Sequence, residues 1–181
     1  MKDELNIAQA ATLADVSMCI NHYRLSTPGL YVCVHVPVQL DKKTRIVPGL
    51  IAQVNCGKHK QCDPGSYDYF SGPPNFVFDC FKDDQADEYK FRRECFERRG
   101  VKEYVAWFLS AKLPEWNRLE DGKFQRVRED PEGLIKSSAL PGLWIPMGAL
   151  EKRDWWCVMA TISRGVTRRG HRDFMATLWK D

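Results

Sequence analysis

A single carboxylate interrupts the short apolar run Phe76–Phe81, a run that is typical of a buried strand. This residue is Asp79. A carboxylate inside a strand is costly unless it is paired with a cation, protonated or bound to a metal ion, so Asp79 is a candidate for chemistry. The simpler alternative is that Asp79 ends the strand and caps the next helix or faces water, because carboxylates are mostly exposed.

Cysteine and histidine recur at close spacing in the segment Cys56–Cys62, which also contains Lys58, His59 and Lys60. Thiolate and imidazole groups are zinc ligands, and such a segment could begin a zinc site. A structural zinc site needs a fourth ligand and usually a second close pair, which the sequence does not offer. We therefore expect an ordinary loop, with phosphate contact near the mouth of a site as the functional alternative for its lysines.

Cysteine nucleophiles and base-stacking tryptophans are two further hypotheses. Cys80 or Cys95 could act as a nucleophile only beside a histidine base, so small buried thiols are the better interpretation. Trp155, Trp156 and Trp179 could stack on nucleic-acid bases. Tryptophans at helical spacing more often belong to a core or an interface.

Hydrophobic patterning predicts the elements in the first half of the chain. A helix is expected up to about residue 24, and strict alternation over residues 30–40 predicts one strand with a single buried face. Pro37 favours an edge position or the end of that strand. The almost continuously apolar Leu50–Val54 predicts a strand buried on both faces. Residues 55–74 are rich in glycine, proline, lysine and aspartate, and we expect a long loop.

The second half begins with a predicted β-α-β unit. It comprises the Phe76–Phe81 strand, a helix that starts with acidic residues and ends near Gly100, and a strand over Val101–Leu109. Such a connection makes the two strands parallel. Asp121-Gly122 predicts a hairpin turn, and C-terminal helices are expected from about residue 150 to residue 181.

Composition is that of an ordinary globular protein. The 181 residues are 44% hydrophobic and 28% charged, which favours a single domain over residues 1–181. A formal net charge of +3 is too small to identify a nucleic-acid-binding protein by itself. Seven cysteines and an N-terminal region unlike a leader predict reduced thiols and a cytoplasmic protein. No apolar run approaches the roughly 18–20 residues of a membrane span.

Short motifs follow one another in a fixed order from about Asn21 to the C-terminus. They are Val47–Ile51, Gly72–Asp79, Gly100–Tyr104, Trp116–Gly122, Asp130–Gly133 and Leu140–Trp144. In order and spacing together they resemble the Uma family of restriction endonucleases, a branch of the PD-(D/E)XK nuclease superfamily. The resemblance implies an α/β fold with a restriction-endonuclease-like mixed sheet flanked by helices, extended at the C-terminus by further helices.

The resemblance also implies a chemistry. In this family two carboxylates on neighbouring strands hold a divalent cation, usually Mg²⁺, which polarises the scissile phosphate of DNA and generates a hydroxide nucleophile. A nearby lysine helps to orient the water and offsets the phosphate charge. DNA is the implied partner. A homodimer is possible, and no membrane partner is implied.

Three positions to which the resemblance assigns this chemistry are altered. Gly49 stands where the family has its first metal-binding aspartate, and Asp79 stands where it has a glutamate. Arg92 replaces the helix lysine, and arginine cannot act as a general base near neutral pH. Lys90 lies two residues away on another helix face and is not an exact substitute. Glu88 occupies the position of the aspartate that precedes the family's lysine.

These changes predict that metal-dependent hydrolysis is impaired or lost. Asp79, with Glu88 or Asp83 as a recruited ligand, would hold Mg²⁺ weakly. The alternatives are a non-catalytic nuclease-fold protein that binds nucleic acid or a partner subunit, and a paralogue without function. For nucleic-acid contact the candidates are Lys58, Lys60 and Lys90, which would form a positive rim with Arg92 if all of them border the same cleft.

Overall fold

The structure, a computed structural model, describes residues 5–66 and 68–178. The helices are α1 (Ile7–Leu25), α2 (Ala86–Arg99), α3 (Met147–Glu151), α4 (Trp155–Val166) and α5 (Arg169–Leu178). The strands are β1 (Leu30–Val34), β2 (Val38–Gln39), β3 (Arg45–Ile46), β4 (Leu50–Val54), β5 (Asp63–Ser66), β6 (Tyr69–Ser71), β7 (Phe76–Phe81), β8 (Glu103–Phe108), β9 (Glu115–Glu120), β10 (Lys123–Arg126), β11 (Leu134–Lys136) and β12 (Trp144–Pro146). None of the described helices combines the length and apolar character needed to cross a membrane.

Six strands form a mixed sheet in the order β1-β4-β7-β8-β9-β10. β7 and β8 are parallel, and every other neighbouring pair in this sheet is antiparallel. The β7-α2-β8 segment is therefore the predicted β-α-β unit, and β4 lies beside β7 as the resemblance requires. The remaining described strands form a four-stranded sheet of order β3-β2-β6-β5 and the β11–β12 hairpin.

Hydrophobic side chains cover both faces of the six-stranded sheet. On one face Ile20 of α1 and Ile162 of α4 pack in a cluster with Phe78. On the other face Phe96 of α2 packs in a cluster with Ile51. All five residues of β4 are buried, which confirms the prediction of a strand covered on both sides.

Helix α2 has the charge pattern expected of a stable helix. Asp87 and Glu88 lie in its first turn and basic residues lie in its last, so both ends complement the helix dipole. Gly100 ends the helix with a φ of 87°, a conformation that glycine adopts without strain, and its N–H donates to the carbonyls of Phe96 and Glu97. The helix therefore holds its polar face, with Glu88 and Arg92 one turn apart, at a fixed position beside β7.

Two predictions about the first half are wrong. The predicted strand over residues 30–40 is divided, because His35 has a φ of 52° and the chain leaves the first sheet there. Val34 is consequently 45% exposed, whereas Val38 is fully buried in the second sheet. The predicted loop over residues 55–74 contains a 3₁₀ turn at Gly57–His59 and the β5–β6 hairpin, whose strands are too short to show a clear period of two.

Candidate functional site

A cleft of about 440 Å³ opens where β4 begins and β7 ends. Helices α1 and α2, the segment before β4 and the end of β7 supply its lining. Gly49, Asp79, Glu88 and Arg92 all line this one cleft. The structure therefore brings together the four positions that the family resemblance assigns to metal chemistry, all of which differ in this chain from the family's residues.

Asp79 is buried at the base of the cleft and has a donor on each oxygen. Its Oδ1 accepts the N–H of Gly49 at 2.7 Å and Nη1 of Arg92 at 3.2 Å. Its Oδ2 accepts the Tyr104 hydroxyl at 3.1 Å. With only 3% of the residue exposed, the carboxylate is charge-compensated by a guanidinium, and the alternative of a water-facing or helix-capping Asp79 is wrong.

Arg92 acts as a fixed cation inside the cleft. Nε donates to Oε1 of Glu88 at 2.6 Å, and Nη1 also donates to the carbonyl of Val47 at 2.9 Å. Burial lowers the pKa of the guanidinium, but the charges of Asp79 and Glu88 outweigh burial and raise that pKa further above its ordinary value. The side chain therefore remains protonated and occupies the anionic end of the cleft.

Tyr104 is a fully buried partner of Asp79 that the sequence analysis missed. It lies opposite Val77 in the β7–β8 register, so it shares a sheet face with Asp79 two positions along. Burial, followed by the nearby charge of Asp79, raises the pKa of the Tyr104 hydroxyl well above its ordinary value. The hydroxyl thus keeps its proton and donates to the carboxylate. The period of two in both strands is the sequence signal that could have identified it.

These side chains do not fit a Mg²⁺ site. Gly49 offers an N–H donor where a ligand carboxylate would be needed, and that donor already binds Oδ1 of Asp79. The guanidinium of Arg92 would repel a second cation at the same oxygen. Within residues 5–66 and 68–178 no group of three histidine, cysteine, aspartate or glutamate side chains is arranged to hold a metal ion.

Lys58, Lys60 and Lys90 are not among the residues that line the cleft, so the condition set for a positive rim, that they border one cleft, is not met; their contact with nucleic acid stays a prediction. Lys58 and Lys60 follow the far end of β4, whose five residues span about 16 Å at 3.3 Å each, so they lie at the opposite edge of the sheet from Gly49. Lys60 pairs with Asp63. Lys90 lies on α2 and is 3.6 Å from the Asp87 carboxylate.

Arg45 and His35 line the cleft and were not anticipated. Arg45 is exposed, with its guanidinium carbon 5.4 Å from the ring centroid of Tyr69. The cleft lining therefore contains two guanidiniums, of Arg45 and Arg92, and two carboxylates, of Asp79 and Glu88. The cleft is therefore close to electrically balanced, whereas a metal site would be acidic.

The cysteine hypothesis finds little support, whereas base stacking by the tryptophans stays a prediction. Burial raises the pKa of the Cys80 thiol to about 11 and also raises the pKa of Cys95, so both thiols are protonated at neutral pH and are poor nucleophiles. Trp155 packs against the core, whereas Trp156 is 80% exposed. Trp179 lies outside the described residues.

No protein-family model matches the sequence, and no curated protein matches it. A solved structure from Anabaena variabilis, described as a "putative nuclease belonging to DUF820", is similar to this chain with a TM-score of 0.65. The two sequences are 11% identical, and the likeness covers 86% of this chain and 85% of the other. The predicted α/β, restriction-endonuclease-like fold, a mixed sheet flanked by helices with a C-terminal helical extension, is thereby confirmed.

Proposed function

We propose that this chain is a restriction-endonuclease-like protein that has lost metal-dependent hydrolysis of DNA and binds nucleic acid without cutting it. Membership of the Uma family and descent from a Mg²⁺-dependent endonuclease are parts of the same proposal. The observation that carries it is the contact between Arg92 and Asp79, in which a protein cation takes the carboxylate oxygen that a metal ion would need.

Glycine at residue 49 and arginine at residue 92 are compatible with each other, because both suit a site that contains a single buried carboxylate. A Cβ atom at residue 49 would lie 3.6 Å from Cα of Asp79 and 3.0 Å from the carbonyl oxygen of Phe78. A carboxylate built on that atom would therefore lie close to Asp79, and two such charges are stable together only with a shared cation. With glycine at residue 49, one guanidinium is enough to balance the single buried carboxylate.

Charge balance also supports binding without cleavage. A phosphodiester is repelled by an acidic metal site until the metal ion is bound, because like charges oppose its approach. In this cleft Arg45 and Arg92 offset Asp79 and Glu88, so this repulsion is reduced without any metal ion. Metal-independent association with nucleic acid is the activity that such a nuclease fold would retain.

The proposal is tested by incubating labelled duplex DNA with the protein in Mg²⁺ or Mn²⁺, with Asp79→Ala as the matched control. We expect the unmodified protein to cleave no more than Asp79→Ala does in either metal. We expect the triple variant Gly49→Asp, Asp79→Glu, Arg92→Lys to gain metal-dependent cleavage, since it restores the family's ligand set. Robust cleavage by the unmodified protein that Asp79→Ala abolishes would contradict the loss of hydrolysis.

The binding half of the proposal needs a separate measurement. In EDTA and low salt, we expect the protein to retard labelled duplex DNA, and we expect this binding to weaken as salt is raised. If no binding is detected at low salt, the protein is better explained as a paralogue without this function.

A further inference from the structure

Three cationic side chains surround one indole ring at the edge of the structure away from the cleft. Nζ of Lys136 lies 4.8 Å from the ring centroid of Trp144. The guanidinium carbons of Arg164 and Arg168 lie 5.7 Å and 5.9 Å from the same centroid. We call Lys136, Trp144, Arg164 and Arg168 the Trp144 cluster. Each contact falls within the range of a cation–π interaction, so the ring holds the three charges near one another.

Close packing of α4 on the strand before it builds the Trp144 cluster. Lys136 and Trp144 are directly opposite each other in the β11–β12 hairpin. A Cβ atom at Gly165 would lie 2.1 Å from the carbonyl oxygen of Gly142 and 3.0 Å from Cγ of Trp144. Only glycine allows this approach, and Arg164, the preceding residue, is thereby carried to the indole.

A buried ionic network fixes the other side of the Trp144 cluster. Glu103 is fully buried and binds Nε of Arg118 at 3.0 Å and the Ser138 N–H at 2.9 Å. Nη2 of Arg118 donates to the carbonyl of Lys136 at 2.8 Å. The backbone that carries Lys136 is therefore held in place before any ligand arrives.

The Trp144 cluster retains uncompensated positive charge. Lys136 pairs with Asp130 at 2.7 Å and Glu132 at 3.5 Å. Arg164 and Arg168 are exposed, and neither has a carboxylate oxygen within 4.0 Å among the side chains that the structure describes. Two unpaired guanidiniums held on one ring repel each other, and an anion bound between them would relieve that repulsion.

Further basic residues lie on and beside α5, on which Arg169 pairs with Asp173 at 3.4 Å. Arg172 donates to the carbonyl of Thr167. Near the other end of the helix, Thr177 Oγ1 lies 3.0 Å from Nε2 of His59. Lys58 and Lys102 are close enough to His59 to add to the effect of its burial and lower its pKa. Cationic groups thus flank α5 at both ends, which suits an extended polyanion better than a single small anion.

We propose that the Trp144 cluster binds the phosphodiester backbone of duplex nucleic acid, independently of the cleft and of any metal ion. This inference rests on the proposed function, to which it adds the binding surface. Duplex DNA carries about one charge per 1.7 Å of its axis, so phosphates are available to each of two neighbouring guanidiniums. Guanidinium groups bind phosphate through two parallel hydrogen bonds, so the contact does not depend on base sequence.

The test measures fluorescence anisotropy of a labelled 20-base-pair duplex in EDTA. Arg164→Ala with Arg168→Ala is the test variant, and Lys42→Ala with Lys43→Ala removes the same charge from exposed positions elsewhere. We expect the test variant to bind at least tenfold more weakly, and the slope of log K against log salt to fall by about 2, since each phosphate contact contributes about 0.9. The control should stay within twofold.

Two further arms separate the remaining explanations. Arg164→Lys with Arg168→Lys keeps the charge and should retain most of the binding, while thermal melting checks that each variant is folded. Equal losses in test and control variants, or no loss in the test variant, would overturn the proposal. Competition by polyglutamate as effective as that by unlabelled duplex would assign the cluster to acidic polypeptides instead. Metal-dependent cleavage would refute only the proposed loss of hydrolysis, because the binding measurement contains no divalent ion.

Discussion

Nη1 of Arg92 lies 3.2 Å from Oδ1 of Asp79, and the two residues belong to different elements, α2 and β7. The same nitrogen donates to the carbonyl of Val47, just before β4. One guanidinium therefore ties a helix, a strand and a connecting segment together at the base of the cleft. The position at which the family resemblance places a catalytic lysine therefore holds a structural contact in this chain.

Arg92→Met is expected to destabilise the protein by about 3–5 kcal/mol, because it leaves the Asp79 carboxylate buried without a cation. The free energy of unfolding from urea titrations measures this loss. Lys90→Met, one of the other cations on the same helix, is exposed and should change stability by no more than about 0.5 kcal/mol. Similar losses of unfolding free energy in the two variants would show that the buried Arg92–Asp79 pair stabilises the protein no more than an exposed lysine does.

Asp79→Asn in the Arg92→Met background should restore part of the lost stability. The amide oxygen can still accept the Gly49 N–H, and the unpaired charge is gone. A double variant no more stable than Arg92→Met alone would mean that the missing arginine packing, not the buried charge, causes the loss.

The need for a partner at Asp79 could be predicted from its position in an apolar strand, because a buried carboxylate is costly when unpaired. Which partner it has could not be predicted from the strand pattern. Arg92 follows thirteen residues later on a helix, and Tyr104 comes from the parallel strand beyond that helix. Both contacts depend on the strand register and on the docking angle of α2, which local periodicity does not encode.

Lys58 and Lys60 do not lie beside Gly49 because of the direction in which the chain runs along β4. Gly49 and Lys58 are nine residues apart in sequence, but β4 runs between them, so they lie at opposite ends of this strand. The break at His35 was missed for a different reason. Its positive φ is unusual for a residue that is not glycine, and alternation of residue types gives no sign of it.

Glu103→Ala is expected to cost about 3–5 kcal/mol of unfolding free energy. The substitution leaves Arg118 without its carboxylate and removes the acceptor that Ser137 Oγ contacts at 2.5 Å inside the protein. Urea titration would measure the loss. The matched control, Glu120→Ala at the exposed end of β9, should cost less than about 0.5 kcal/mol. A mild effect at residue 103 would contradict the view that this network anchors the segment around Lys136.

Stability should decline as pH falls below about 6.5 through a contribution from His59. Burial first, and then the charges of Lys102 and Lys58, lower its pKa from 6.5, so the unfolded chain takes up a proton before the folded protein does. This contribution is complete above pH 6.5 and is lost towards the lower, folded-state pKa. Unfolding measured between pH 5 and 8 should depend less on pH in His59→Gln than in the unmodified protein.

Lysine substitutions give an independent check on His59. NMR titration should show its pKa below 6.5, and Lys58→Met with Lys102→Met should raise that pKa only in part, because burial is the larger cause. Lys42→Met with Lys43→Met, at the β2–β3 turn, should leave it unchanged. A His59 pKa above 6.5 in the unmodified protein would contradict the expected direction.

Gly165 and Gly170 lie in consecutive helices and should respond oppositely to alanine. At Gly165 the new methyl group would meet the carbonyl oxygen of Gly142 at 2.1 Å, so α4 must move away from Trp144 at a cost of about 3 kcal/mol. At Gly170 nothing lies within 4 Å, and alanine should stabilise α5 by about 0.5–1 kcal/mol. Thermal and urea unfolding would compare the stabilities of the two variants.

Because Arg164 adjoins Gly165, Gly165→Ala should also weaken duplex binding in EDTA, whereas Gly170→Ala should not. Equal stability or equal binding in the two variants would show that the close approach of α4 does not position the Trp144 cluster.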